Sequence, residues 1–170
     1  MAQLLKASET DRAEAMARIT KETERLDSWS FWTVPSSDHV VVAGTTGVFL
    51  IVPDIHEGFL EGEGRRVRIG GDRIRLRPLR AATARLRNQL GSGAVGVDLQ
   101  PILCLTRAAA GAPRTVQGVR IVTVDRLAAD IVRGEKVLQP VRAQRVVRTL
   151  GMTVAGDQRR HAAVLGHRSK

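Results

Sequence analysis

Residues 36 to 58, SSDHVVVAGTTGVFLIVPDIHEG, place metal-capable side chains at both ends of two apolar runs. Asp38 and His39 precede the first run, and Asp54, His56 and Glu57 follow the second. If the runs form a hairpin, the start of one strand lies beside the end of the other. Neighbouring strands are only about 4.8 Å apart, so Asp38, Asp54 and Glu57 can approach one divalent cation. Carboxylate and imidazole side chains so placed can hold a metal ion. The spacing therefore asks whether these ends form a catalytic site, what remains of one, or a polar turn that faces water.

A second set of chemically able residues is cationic. Arg65, Arg66, Arg68, Arg73, Arg75 and Arg77 crowd the stretch RRVRIGGDRIRLRP, and Arg80, Arg85 and Arg87 follow in LRAATARLRNQLG. A guanidinium presents a planar fork of donors that matches phosphate oxygens in pairs. Alternate residues of a strand share a face, so Arg66 with Arg68, and Arg73 with Arg75 and Arg77, can line up as a stripe. Such a stripe grips phosphates without reading bases. Glu57, Glu61, Glu63 and Asp72 offer these arginines a competing use in surface ion pairs.

Composition sharpens both possibilities. The chain has 170 residues, a formal net charge of +10 and 43% hydrophobic residues. This suits one domain with a substantial core and an anionic partner such as nucleic acid. Aromatic residues make up only 3%, with no tyrosine, which disfavours a base-stacking sheet. The single cysteine, Cys104 in PILCLT, excludes an internal disulfide and reads as a small buried hydrophobe. His39 reads as a hydrogen-bonded structural residue, and His161 and His167 as solvated. There is no phosphate loop of Walker type, no nucleophile elbow and no paired Cys-x-x-Cys. The first residues turn polar too early for a signal peptide, and no apolar run is long enough to span a bilayer. A cytoplasmic protein without a membrane partner is expected.

The elements that must carry these residues follow from periodicity and punctuation. ASETDRAEAMARITKETERL runs without Gly or Pro and predicts a helix of about four turns, capped at Ser8, with Ala13, Met16, Ile19 and Leu26 inward. WSFWTV, residues 29 to 34, predicts a strand. DHVVVAG and GVFLIVP, apolar throughout, predict strands buried on both faces. RRVRIGGDRIRLRP predicts an added hairpin turning at its glycines. A second helix should end at Gly91. A strand at about 101 to 106, a loop over RAAAGAPRTVQ, a strand at GVRIVTV and two short helices, the last opening at Pro140, complete the order. Residues 1 to 150 thus form one domain, and 151 to 170 a basic tail that can dock on the domain or on an acidic partner. The fold class is α/β in the broad, mixed α+β sense: a central mixed sheet flanked by helices, with an added β-hairpin.

DHVVVAGTTGVFLIVPDIHEG resembles the signature of the nuclease-related domain (NERD) family, in which an Asp-His pair starts one strand, Gly-Val-Phe starts the next and an acidic-x-Lys motif ends it. The likeness continues through VRIGGDRIRLRPLRAATARLRNQL, PILCLT and GVRIVTVDRLAADI. It implies a restriction-endonuclease-like core, with Asp38 as the first metal-binding carboxylate. Counting from Gly47, Val48 and Phe49, however, the acidic position falls on Val52 and the lysine position on Asp54. Valine cannot ligate a metal, and Asp54 puts negative charge where a cation should oppose that building on the phosphate.

The expectation is a catalytically degenerate member of that family, without cofactor, that binds nucleic acid, DNA foremost, through its arginine-rich hairpin and helix. Two alternatives stand beside it. One is an active Mg²⁺-dependent nuclease with a relocated site of Asp38, Asp54 and Glu57; the other is a scaffold that meets an acidic protein.

Overall fold

The computed structural model describes residues 9–91 and 97–151. The tail beyond residue 151, with His161 and His167, and the cap at Ser8 lie outside the described residues. Helix α1 (Glu9–Thr23) leads into β1 (Phe31–Pro35), β2 (Val40–Gly44) and β3 (Gly47–Asp54). Three short strands and a helix follow: β4 (Gly58–Glu61), β5 (Arg68–Ile69), β6 (Asp72–Arg73), then α2 (Arg77–Leu90). The chain continues with β7 (Leu99–Leu105), β8 (Ala108–Ala109), β9 (Arg114–Val116), β10 (Val119–Thr123), α3 (Leu127–Val132) and a helix over 140–151, α4. Among the described residues no helix is long and apolar enough to cross a membrane.

The central sheet has six strands in the order β1-β2-β3-β7-β10-β9. It is mixed: β3, β7 and β10 run parallel, whereas β1, β2 and β9 join antiparallel. The doubly apolar runs occupy the middle, as the sequence predicts. Val41, Ala43, Val48 and Leu50 face one core with Leu79 and Leu90 of α2 and Ala143, Val146 and Leu150 of α4. Val40, Val42, Phe49 and Ile51 face the other with Met16 and Ile19 of α1 and Leu127 and Ile131 of α3. Helices therefore cover both faces, because neither face of β2 or β3 can be left in water. On α1 the buried line is Ala15, Met16, Ile19 and Thr23. Ala13, expected inward, is exposed; the stripe begins at Ala15, which shares a face with Ile19 one turn on.

Pro35 ends β1, an edge strand, where a missing N–H breaks no ladder. The loop expected over residues 107 to 117 instead supplies β8 and β9, and β4, unexpected from sequence, joins β8 to the hairpin. β9 joins the edge of the central sheet, whereas β4 and β8 make a second sheet with the hairpin, in the order β6-β5-β4-β8. Its strands are too short and too glycine-punctuated to carry a periodic signal.

The hairpin is tighter than its sequence suggests. Arg68 pairs with Arg73 and Ile69 with Asp72 around a Gly70-Gly71 turn. Both glycines have positive φ, 56° and 88°, and a Cβ on Gly70 would lie 2.2 Å from the Glu57 carbonyl oxygen, whereas one on Gly71 meets nothing within 4 Å. Gly70→Ala should therefore lose about 2 kcal/mol or more of stability, and Gly71→Ala only about 1, as read from paired urea unfolding curves. Equal losses would mean that backbone conformation alone, not the contact with Glu57, sets the cost.

Cys104 is fully buried, and burial pushes its thiol pKa well up. A thiol held neutral is a poor nucleophile. Disulfide reagents should leave it unmodified at neutral pH until denaturant is added, and rapid native-state labelling would show that β7 opens locally.

Candidate nucleic-acid interface and the strand ends around Asp54

The metal-capable residues sit where hairpin geometry puts them, but each is committed elsewhere. Asp38 lies in the loop between β1 and β2; its side chain is 79% exposed, with Oδ1 2.7 Å from His39 Nδ1. Asp54, at the end of β3, is only 8% exposed. It accepts a hydrogen bond from the His56 backbone N–H at 3.0 Å, and both its oxygens lie 3.1 Å from His56 Nδ1. Glu57 points to Arg107, 3.9 Å away. Val52 packs against the core that α2 covers.

Among the described residues no group of three or more His, Cys, Asp or Glu side chains is placed to hold a metal ion. Asp38, Asp54 and Glu57 as arranged do not fit a shared Mg²⁺, since each carboxylate has its own partner. Titrating Mg²⁺ should accordingly leave the melting temperature unchanged; a metal-dependent rise would show that the three carboxylates regroup around a cation.

The parallel strands β3, β7 and β10 end along one edge, and there Arg107 does structural work. Its guanidinium donates to Asp11 at 2.7 Å and Glu14 at 3.3 Å on α1. The hydrogen bond to Asp11 is the main reason its pKa rises. Arg18 of α1 donates to the Thr106 carbonyl. Thr106 in turn bonds the Asp54 carbonyl through its backbone N–H at 3.0 Å and its hydroxyl at 2.8 Å. Glu14, Arg18, Thr106 and Arg107 line an open cleft of about 560 Å³ with Asp125 and Glu57. Its charges are of both signs, and Arg107 pairs with two of its carboxylates, Glu14 and Glu57.

The arginines of the hairpin and α2 are arranged differently. Arg65, Arg66, Arg68, Arg73, Arg75, Arg77, Arg80, Arg85 and Arg87 are all exposed. Arg87 has an ion partner, Asp98 at 3.4 Å, and Arg68 makes a 3.4 Å contact with the Gly71 carbonyl. The competing carboxylates do not neutralise the group: Glu57 turns to Arg107, and Glu61, Glu63 and Asp72 make no ion pair among the described residues.

The predicted stripe is realised only in part. Arg68 and Arg73 are cross-strand partners, and Glu61 lies opposite Arg68 on β4. Arg65 and Arg66 fall in a 3-10 turn (Gly64–Arg66) rather than a strand. Arg75 follows β6, and Arg77 already belongs to α2, whose first turn contains a proline and no acidic residue. The buried face of α2 carries Leu79, Thr83 and Leu90, so its helical period turns Arg77 and Arg85 outward and leaves Arg80 and Arg87 on the flanks of that face.

Two residues were invisible to sequence reasoning. Phe59 on β4 is 68% exposed. Arg114 on β9 reaches the Gly62 carbonyl at 2.9 Å while its Nε and Nη2 are buried without a partner. Each acquires its setting only when β4, β8 and β9 exist, and no pattern in the sequence announces those strands.

Fold and site together define a mixed α+β domain with one strongly cationic, largely unpaired face. No protein-family model matches the chain, and neither the curated proteins nor the solved structures contain a match to it.

Proposed function

We propose that this protein binds nucleic acid through phosphate contacts, without sequence preference, using the β5–β6 hairpin and the outer face of α2. The observation that carries the reading is the clustering of exposed arginines of which, among the described residues, only Arg87 has a carboxylate partner. Arg68 and Arg73 stand directly opposite each other, where like charges destabilise a sheet. Arg77 and Arg80 sit near the start of α2, where cations oppose the helix dipole. An anion with several oxygens relieves both conflicts, and a phosphate chain supplies many.

The NERD likeness supports the same partner class, and its motif at Val52 and Asp54 argues for binding without cleavage. Neither residue can take the role its position has in that family: Val52 is apolar, and Asp54 is a buried carboxyl group in contact with His56, not a lysine. A cytoplasmic setting accords with the lone free cysteine.

The test is the affinity for a labelled DNA duplex as salt is raised with Mg²⁺ present, with the recovered DNA checked for cuts. Affinity should fall log-linearly with salt, with a slope of about −0.9 per phosphate neutralised. The double variant Arg68→Ala, Arg73→Ala should shallow that slope by about 2 and leave the DNA intact. Cutting that disappears in Asp38→Ala would instead favour the relocated Mg²⁺ nuclease. Absence of binding even at low salt would direct attention to an acidic protein partner.

A further inference from the structure

We propose that the outward face of the second sheet takes single-stranded nucleic acid, with Phe59 as a stacking platform and Arg68 and Arg73 as the adjoining phosphate grips. This deepens the nucleic-acid reading above and rests on it.

Strand alternation divides the sheet cleanly. Ile69 and Ala108 are buried and Leu60 packs beside them on the core. The neighbours of these residues along β4, β5 and β8, namely Phe59, Glu61, Arg68 and Ala109, must then face outward, and all are exposed. Arg73, opposite Arg68, extends the same face onto β6.

Phe59 is placed as a platform rather than a core residue. Its partner on β8 is Ala109, and on the other side its carbonyl accepts the Gly70 N–H at 3.1 Å. A methyl group and a bare backbone flank the ring, so no side chain covers it from either neighbouring strand. Arg68 is its diagonal neighbour on β5, about 7 Å away by sheet geometry. An exposed ring beside cations is the combination that holds unpaired strands, since bases stack on the ring while their phosphates meet the cations. A duplex keeps its base faces inside its own stack and can use only the cations. Trp29, the other highly exposed aromatic, sits by Asp27, whose Oδ1 accepts its backbone N–H, and has no such setting.

The experiment compares an oligothymidylate, an oligouridylate and a DNA duplex of the same length at one salt concentration, using fluorescence anisotropy and the full chain. The single strands should bind more tightly than the duplex. Phe59→Ala should weaken single-strand binding about tenfold to a hundredfold and change duplex binding little, and Phe59→Trp should restore it. The ring is exposed, so neither substitution disturbs the core. Unchanged single-strand affinity in Phe59→Ala, or an equal loss for strand and duplex, would overturn the stacking role while leaving the phosphate-binding reading intact. Failure of the unaltered protein to bind any of the three would sink both.

Discussion

The burial of β3 on both faces between β2 and β7 is the constraint from which the rest of the architecture follows. Val48 through Ile51 leave no side of the strand that tolerates water, so helices must cover both sides of the sheet. The parallel register with β7, from Val48↔Leu99 to Asp54↔Leu105, then requires a long return, and the chain between them builds β4, β5, β6 and α2 on one side. The exit from β3 is pinned where Thr106 holds the Asp54 carbonyl twice. The segment after Asp54 therefore leaves the central sheet at a fixed point and enters the smaller one.

That smaller sheet buries only one face, since among the described residues no helix packs on its other side. Ile69, Ala108 and Leu60 turn to the core, and alternation delivers Phe59, Arg68 and Arg73 to solvent. The cationic surface and the exposed ring are thus consequences of one packing decision. The Gly70-Gly71 turn lets β5 and β6 pair within two residues each, and the same turn sets a residue without a side chain beside Phe59.

The middle of the central sheet was legible because β2 and β3 are uniformly apolar, and α2 because its period and the closing Gly91 agree, whereas the three-residue edge strand β9 lies in a stretch that predicts a loop. The second sheet was not legible: two-residue strands have no period, and their pairing is a tertiary event. The candidate site divides along the same line. That the hairpin arginines, Arg77 and Arg85 are exposed followed from alternation and helical period, and the contacts of Asp38 with His39 and of Asp54 with His56 are local, whereas the contact of Glu57 depended on Arg107, which no local pattern places. Arg107 lies far in sequence from its partners Asp11 and Glu14, so only the assembled fold brings them together.

Charge is also sorted by layer. The acidic residues of α1, Asp11 and Glu14, are spent on Arg107, while Glu22 pairs with Arg25. Asp130 of α3 takes Arg120 of β10 in a two-pronged pair. These contacts tie elements together on the side of the sheet that α1 and α3 cover. Across the sheet, α2 presents arginines and no carboxylate of its own. A net charge of +10 segregated in this way produces a field that points an anionic polymer toward one face before any contact forms. Self-repulsion among those arginines weakens the folded state, and the core that Ile69, Leu79 and Leu90 build beneath them is what offsets it. The surface that is costly to the free protein is thus held in place by the same hairpin and helix whose apolar sides complete the core.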